Sequence, residues 1–173
     1  MVISTVKGFF TTFEASIYTI GEDFTTLEID IHIDPSSINT CDEKRDERLK
    51  SVDFFDVENH RQITFKSSTM GEANANGICE LWGELTMVGV TKNIKLDVEF
   101  VETGKKPNGE VILKFKLLGE INRSDWGLVW NTSIGKGNFF LSNEIVIACE
   151  IQLTKVDFNN LTMELETQNS FNT

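Results

Sequence analysis

The most restrictive feature of the sequence is an alternation of apolar and polar residues with a period of two. In the segment 27–33 every second residue is Leu or Ile, and the residues between them are Glu, Asp and His. Successive side chains of a β-strand point to opposite faces, so this pattern predicts a strand with one buried and one solvated face. The same alternation recurs at residues 94–100, 111–117 and 144–153.

Shorter patterns fill the gaps between these runs. Weaker strands are predicted over residues 6–20, 63–68 and 79–87, and turn signals lie at residues 21–23, 74–77 and 104–109. Links of hairpin length between alternating strands indicate antiparallel pairing. A sheet with one apolar face must close on itself or pack on a second sheet. The sequence shows neither a β-α-β spacing nor an internal repeat, so the predicted fold is all-β.

One stretch, residues 39–65, interrupts the strands with a dense run of charged residues. Thr40 and Glu43 have the spacing of a capping box, and the charged residues that follow predict a short, solvated helix in a crossover between two strands. Two adjacent aromatics, Phe54 and Phe55, come after this helix and lie between Asp53 and Asp56 in the sequence.

Length, charge and cysteine content restrict the class of protein. A chain of 173 residues predicts a single domain. Its net charge of −11 argues against nucleic acid and anionic membrane surfaces as partners. No apolar run is long enough to span a membrane, and no export signal is evident. We therefore expect a cytoplasmic protein from the chain as given, or a periplasmic one if its N-terminus has been processed.

The candidate catalytic groups are weak. Carboxylates occur in pairs, Asp53 with Asp56 and Glu43 with Glu47, but nothing in the sequence places them in two different environments. His32 and His60 have no nucleophile motif beside them. The three cysteines have no metal-ligand spacing, and we expect reduced thiols. The glycines form no nucleotide-binding loop. The sequence predicts no catalytic residue, no metal, no cofactor and no enzyme.

Large apolar side chains dominate the predicted inward faces. They include Phe65, Leu85, Phe100, Phe115, Trp126, Trp130 and either Phe139 or Phe140. Such residues fill the interior of a narrow barrel and line a ligand cavity in a wider one. The residues alone leave both alternatives open.

Six short segments resemble the YceI-like family, in the order that the family has them. They read STVKGFF at 4–10, DPSSINT at 34–40, RDERLKSVDFFD at 45–56, ITFKS at 63–67, GELTMVGVTK at 83–92 and NRSDWGL at 122–128. The resemblance implies a lipocalin-like antiparallel β-barrel of about eight strands with an apolar pore. It also implies the binding of a long-chain lipid or polyisoprenoid, no catalysis and a homodimer.

The chain departs from the family pattern at three places. Arg48 stands where the family usually has His, and the family's first strand is missing before Met1. Residues 156–173 extend past the usual end, which predicts a domain of residues 1–155 and a C-terminal extension. Alternation at residues 161–166 predicts that this extension forms a strand that covers an exposed sheet edge.

The function predicted from these observations is binding, storage or transport of a long-chain amphiphile in the barrel. The alternative is a non-enzymatic stress-response or interaction module whose barrel is packed solid. The predicted ligand-binding residues are Phe10, Phe54, Phe55, Phe65, Leu85, Phe100, Phe115, Trp126, Trp130 and Ile147. Phe54 and Phe55 are expected to fix the crossover to the barrel. Arg123 with Asp125, and Arg45 with Asp46, are candidates either for a polar mouth that receives the ligand headgroup or for structural ion pairs that tie the loops to the barrel, and we expect the structural ion pairs.

Overall fold

Antiparallel strands make up most of the chain in the computed structural model. The structure describes residues 5–20, 23–105, 111–131, 141–155 and 166–172, the last range by its backbone alone. Its strands are β1 Lys7–Phe10, β2 Phe13–Ile20, β3 Asp23–Ile33, β4 Ile38–Asn39, β5 Ile63–Met70, β6 Ile78–Met87, β7 Val90–Lys105, β8 Val111–Asn122, β9 Glu144–Lys155 and β10 Glu166–Asn172. The α-helix α1 spans Glu43–Lys50, and 3₁₀ helices span Pro35–Ser37 and Arg123–Trp126.

The strands form a single sheet that curls into a barrel. Its order is β2-β3-β5-β6-β7-β8-β9-β10-β1-β4. β1 and β2 are separated only by Thr11 and Thr12, so one bent strand joins the two ends of the sheet. Counting that strand once and leaving out the two-residue β4, the described sheet has about eight strands. The predicted antiparallel barrel with one short helix in its crossover is confirmed.

Backbone and side-chain hydrogen bonds hold the bend between β1 and β2. The Thr11 N–H donates to the Ser37 carbonyl at 3.2 Å, and the Asp34 N–H donates to the Thr12 carbonyl at 3.0 Å. The Thr12 N–H donates to Ser37 Oγ at 3.0 Å. Bulges in β2, β5 and β7 add local bending elsewhere in the sheet.

The core lies inside the curl and follows the alternation in the sequence. β6 shows this most clearly, because its residues alternate between buried and exposed over nearly its whole length. The odd-numbered residues of β8 from Leu113 to Ile121 point inward, and Lys114 and Lys116 point outward to pair with Glu102 and Glu150. The period-two pattern therefore identifies which face of each strand is buried.

The N-cap of helix α1 lies two residues later in the chain than predicted. The capping box of Thr40 and Glu43 was wrong, because Asp42 is the N-cap and its carboxylate accepts from the Arg45 N–H at 3.1 Å. The Thr40 hydroxyl donates instead to Asp46 Oδ1 at 2.6 Å. The charged side chains of Arg45 and Asp46 thus tie the helix to the end of β4, and Arg45 forms its ion pair with Asp42 and not with Asp46.

The C-terminal extension contributes a strand to the sheet. β10 pairs with β9 on one side and with β1 on the other, both in antiparallel fashion. Residues 161–165, on which most of the predicted strand depended, lie outside the described residues, as do Phe139, Phe140 and residues 106–110. The predicted division of the chain at residue 155 remains a prediction.

Gly83 allows β5 and β6 to pack closely. A Cβ at this position would lie 2.6 Å from the Lys66 carbonyl oxygen and 2.6 Å from Cζ of Phe65. The ring of Phe65 therefore covers the backbone of the neighbouring strand, where only glycine leaves room for it.

Substitution of Gly83 by Ala is expected to destabilise the barrel by roughly 1–3 kcal/mol, because the backbone or the Phe65 ring must shift. The change is measured as the free energy of unfolding in urea. Gly104→Ala is the matched control, since no described atom lies within 4 Å of its added Cβ. Equal unfolding midpoints for the two variants would contradict the close approach.

Candidate functional site

The middle of the barrel is filled by apolar side chains from adjacent strands. Leu81 and Val98 expose 0% of their surface, and Phe115 exposes 1%. The register places Val98 beside Leu117 and Phe115 beside Ile151, so these side chains form continuous layers across the wall. A tunnel wide enough for water would leave its lining accessible. The central layers are therefore packed against one another in this structure.

The ten predicted ligand-binding residues fall into two groups. Those that are buried are Phe10, Phe54, Phe65, Leu85, Phe115 and Trp126. Those that keep part of their surface accessible are Phe55, Phe100, Trp130 and Ile147. All ten are close to the apolar interior or to the crossover that lies against it. Whether they contact a ligand stays a prediction.

Aromatic contacts attach the crossover to the barrel at the end that carries α1, which we call the helix end. The Phe54 ring lies 5.4 Å from the Trp130 ring, and the Phe55 ring lies 5.7 Å from the Phe10 ring. The Arg48 guanidinium also stacks on Trp130, 3.7 Å from the centre of that ring. Arg48 thus has a defined contact at the helix end.

The Arg48 guanidinium is also held from its own segment. Its Nη2 donates to Asp53 at 3.1 Å, and both side chains are substantially exposed. Such an exposed ion pair contributes little to stability by itself. Its effect is to orient the guanidinium over the Trp130 ring, which also contacts the Phe54 ring at an interplanar angle of 55°.

Trp126 closes the same end of the barrel from the β8 side. It exposes only 2% of its surface, and its indole Nε1 donates to the Leu85 carbonyl of β6 at 3.1 Å. Gly127 follows with φ of 77°, a left-handed conformation that glycine adopts without strain and that ends the 3₁₀ helix. This hydrogen bond fixes the position of the 3₁₀ helix relative to β6.

Arg123 is a buried cation at the helix end. Its Nε donates to the Ser142 carbonyl at 2.9 Å, and its Nη1 donates to the Trp130 carbonyl at 2.9 Å and to the Leu128 carbonyl. Burial lowers the pKa of the Arg123 guanidinium from its ordinary value. The expected ion pair with Asp125 was wrong. Arg123 ties the loops to the barrel through backbone carbonyls instead.

Sequence reasoning named Arg123 but missed its burial. The signal was available, because Arg123 comes two residues after Ile121 and continues the inward-facing alternation of β8. Its neighbourhood is apolar as well, with buried Trp126 and Leu128 on the loop that it holds.

The ionisable groups that were considered for catalysis lie at the surface. Asp53 pairs with Arg48, and Asp56 accepts two hydrogen bonds from the Asn59 amide at 3.0 and 2.9 Å. His60 Nε2 lies 3.9 Å from Asp56. Across the part of the chain that the structure describes, no group of three His, Cys, Asp or Glu residues is arranged to hold a metal ion.

The barrel interior contains two thiols, Cys79 and Cys149, and both are buried. Burial, together with the nearby charge of Glu150, raises the pKa of Cys149 to about 12. Burial also raises the pKa of Cys79. Cys41, in contrast, is exposed at the start of the crossover.

An open groove lies along β7 and β8, near the start of β9. This open groove has a volume of about 680 Å³ and receives outward-facing side chains that include Lys95, Asp97 and Leu118. Lys95 is already paired with Asp97 at 3.3 Å and with Glu80 at 3.0 Å. Lys95 is therefore not a free cation in this groove.

Comparisons with known proteins agree with this architecture. A family profile described as the YceI-like domain matches residues 1–153. The UPF0312 protein SAS2572 of Staphylococcus aureus strain MSSA476 is 34% identical over 146 residues, which cover 84% of this chain and 82% of that protein. The UPF0312 protein SAUSA300_2620 of strain USA300 shows the same identity and coverage.

Solved structures extend the comparison to the fold. The crystal structure of the Campylobacter jejuni YCEI protein superposes with a TM-score of 0.79 at 28% identity, over 91% of this chain and 89% of that chain. Burkholderia cenocepacia BcnA superposes with a TM-score of 0.68 at 21% identity, over 88% of this chain and 94% of that chain, and shows the fold alone. Among the described residues, no helix has the length and apolar character required to cross a membrane.

Removal of the Phe54 ring is expected to lower the free energy of unfolding by about 3–5 kcal/mol, because Phe54→Ala empties a buried site against Trp130. Urea denaturation measures the change. Val52→Ala is the control from the same segment, since Val52 is 79% exposed and its truncation is expected to cost less than about 0.5 kcal/mol. Similar losses for both variants would show that the crossover does not pack as described.

Native protein at about pH 8 is expected to react with iodoacetamide at Cys41 alone. With a pKa of about 12, Cys149 is ionised in on the order of one molecule in ten thousand at that pH, and burial also blocks access. The native state holds this proton more tightly than the unfolded state, so the stability that it contributes is lost as the pH rises towards about 12.

Mass spectrometry counts the modified thiols before and after unfolding. Cys41→Ser is the control and is expected to leave no fast-reacting thiol in the native protein. Rapid modification of Cys149 in the folded protein would show that this part of the interior is open.

Proposed function

Because this chain belongs to the YceI-like family, we propose that it binds the tail of a long-chain amphiphile inside the barrel and catalyses no reaction. The ligand is a fatty-acyl or polyisoprenoid compound. One observation carries the proposal: among the described residues, the buried side chains in the middle of the barrel are apolar, and Arg123 at the helix end is the buried charged residue. Such a surface binds hydrocarbon and offers nothing to a polar substrate.

Partly accessible apolar side chains indicate where a tail would enter. Ile145 and Ile147 face inward at the start of β9 but are less buried than Cys149 and Ile151 further along the strand. Phe55, also at the helix end, packs only partly against the core. A tail that begins at these residues would reach the central layers by separating side chains that now contact one another.

The energy for that separation comes from burial of the tail. Each methylene removed from water contributes about 0.8 kcal/mol, so a chain of a dozen or more methylenes supplies enough to offset rearrangement of the packed layers. A short chain would not supply enough energy to separate these layers. The proposal therefore specifies a long ligand.

The alternative is a barrel whose interior stays packed and whose outer surface interacts with other proteins. It is supported by the near-complete burial of Leu81, Val98 and Phe115 in the central layers. Under that alternative the same residues contribute only to stability. Binding measurements with ligands of different length distinguish the two functions.

Affinity is expected to rise by up to about fourfold for each added methylene in a series of saturated fatty acids from octanoate to palmitate. Displacement of a fluorescent fatty acid from delipidated protein measures the dissociation constants. Phe115→Ala enlarges the interior, and Tyr18→Ala, at an exposed site outside it, is the control. Affinity that does not depend on chain length, or no binding at all, would favour the packed alternative.

Native mass spectrometry of gently extracted protein provides the complementary measurement. A retained adduct with the mass of a long-chain compound supports the proposed function. The same spectrum reports whether the protein forms the homodimer that the family resemblance implies.

A further inference from the structure

The row of inward-facing side chains on β8 is followed by a buried charged residue, Arg123. Arg123 exposes 4% of its surface and is the one charged residue that is fully buried among the residues the structure describes. Its backbone N–H donates to the Asn143 carbonyl at 2.9 Å, which extends the pairing of β8 with β9 beyond Asn122 and Glu144. The guanidinium therefore lies at the end of the same apolar row that begins at Leu113.

Only part of this guanidinium is used by the protein. Arginine has five N–H donors, and three of those of Arg123 bind the carbonyls of Leu128, Trp130 and Ser142. The remaining nitrogen, Nη2, carries two N–H groups, is buried and has no hydrogen-bond partner among the described residues. A buried donor without an acceptor is unfavourable, and a charged one more so.

The charge is also uncompensated. All of its partners are neutral carbonyls, and no described carboxylate lies within ion-pair distance of it. The lysines on the outer face of the same strand, Lys114 and Lys116, are both paired with carboxylates. A buried cation is stabilised when an anion accompanies it.

We propose that Nη2 of Arg123 binds the anionic headgroup of the amphiphile whose tail enters the barrel, so that the protein selects acidic over neutral amphiphiles. The headgroup is a carboxylate or a phosphate. This inference depends on the proposed function, because the tail places the headgroup at the helix end.

The surroundings favour an anion that carries a tail over a free anion. The chain has a net charge of −11, which repels small anions from solution. Arg123 follows buried Ile121 on the chain, and its guanidinium binds the carbonyl of buried Leu128. Ile145 keeps apolar surface accessible and pairs with Ile121, two residues before Arg123. Burial of a tail against such residues supplies the energy that brings the anion in.

The test compares matched ligands on the unmodified protein. Dissociation constants are measured at about pH 8 for palmitate and for palmitamide, which have the same tail and differ in charge. Palmitate is expected to bind about tenfold more tightly or better, the effect of one charge-assisted hydrogen bond. A second pair, geranylgeranyl phosphate and geranylgeraniol, determines whether the preferred headgroup is a carboxylate or a phosphate.

Variants assign the preference to Arg123. Arg123→Met is expected to bring the affinity for palmitate down to that for palmitamide and to leave palmitamide binding within about twofold. Lys116→Met, which removes a cation from the outer face of β8, is the control and is expected to keep the preference. Loss of stability alone would lower the affinity for palmitate and for palmitamide equally. Circular dichroism and urea unfolding verify that each variant folds.

Each result decides the inference. Equal binding of the acidic and neutral ligands by the unmodified protein overturns it while the proposed function stands. Persistence of the preference in folded Arg123→Met overturns it as well. If Arg123→Met does not fold, the matched ligands on the unmodified protein decide. Failure of every amphiphile to bind removes the proposed function and this inference together.

Discussion

Closure of the sheet is the constraint on which the rest of this structure depends. A curled antiparallel sheet buries its inner face only if its two ends meet, and here they meet through the bend between β1 and β2 at Thr11 and Thr12. Ser37 and Asp34 hold that bend by hydrogen bonds to both threonines. Once the sheet is closed, the alternation of each strand determines which side chains meet in the interior.

The end that carries the helix depends on contacts between segments that are distant in sequence. Phe54 from the crossover meets Trp130 from the loop after β8, and Arg48 stacks on that same ring. Trp126 reaches across to the Leu85 carbonyl, and Arg123 binds carbonyls on both sides of the loop. These contacts anchor the loops of the helix end and hold a buried cation there, whereas the buried side chains in the middle of the barrel are apolar.

The sequence predicted what is encoded locally and missed what depends on distant partners. Strand faces follow from a period of two, so the inward rows could be predicted without the structure. The N-cap of α1 could not be predicted, because Thr40 and Asp42 are both suitable N-cap residues. Asp42 is the N-cap in the structure, since the Thr40 hydroxyl donates its hydrogen bond to the Asp46 carboxylate. The partners of Arg123 are backbone carbonyls at Leu128, Trp130 and Ser142, which leave no pattern in side-chain identity. Alternation along β8 did indicate its burial.

A packed interior and a buried, uncompensated cation have opposite effects on the empty barrel. The apolar layers stabilise it, and the unpaired Nη2 of Arg123 destabilises it. A neutral amphiphile would have to separate the layers and would leave the cation unpaired. Under our proposal, an acidic amphiphile would separate the same layers but would also supply the missing acceptor, so that the energy lost by burying the unpaired charge would be recovered on binding. Selectivity for acidic ligands would then follow from an instability of the empty protein.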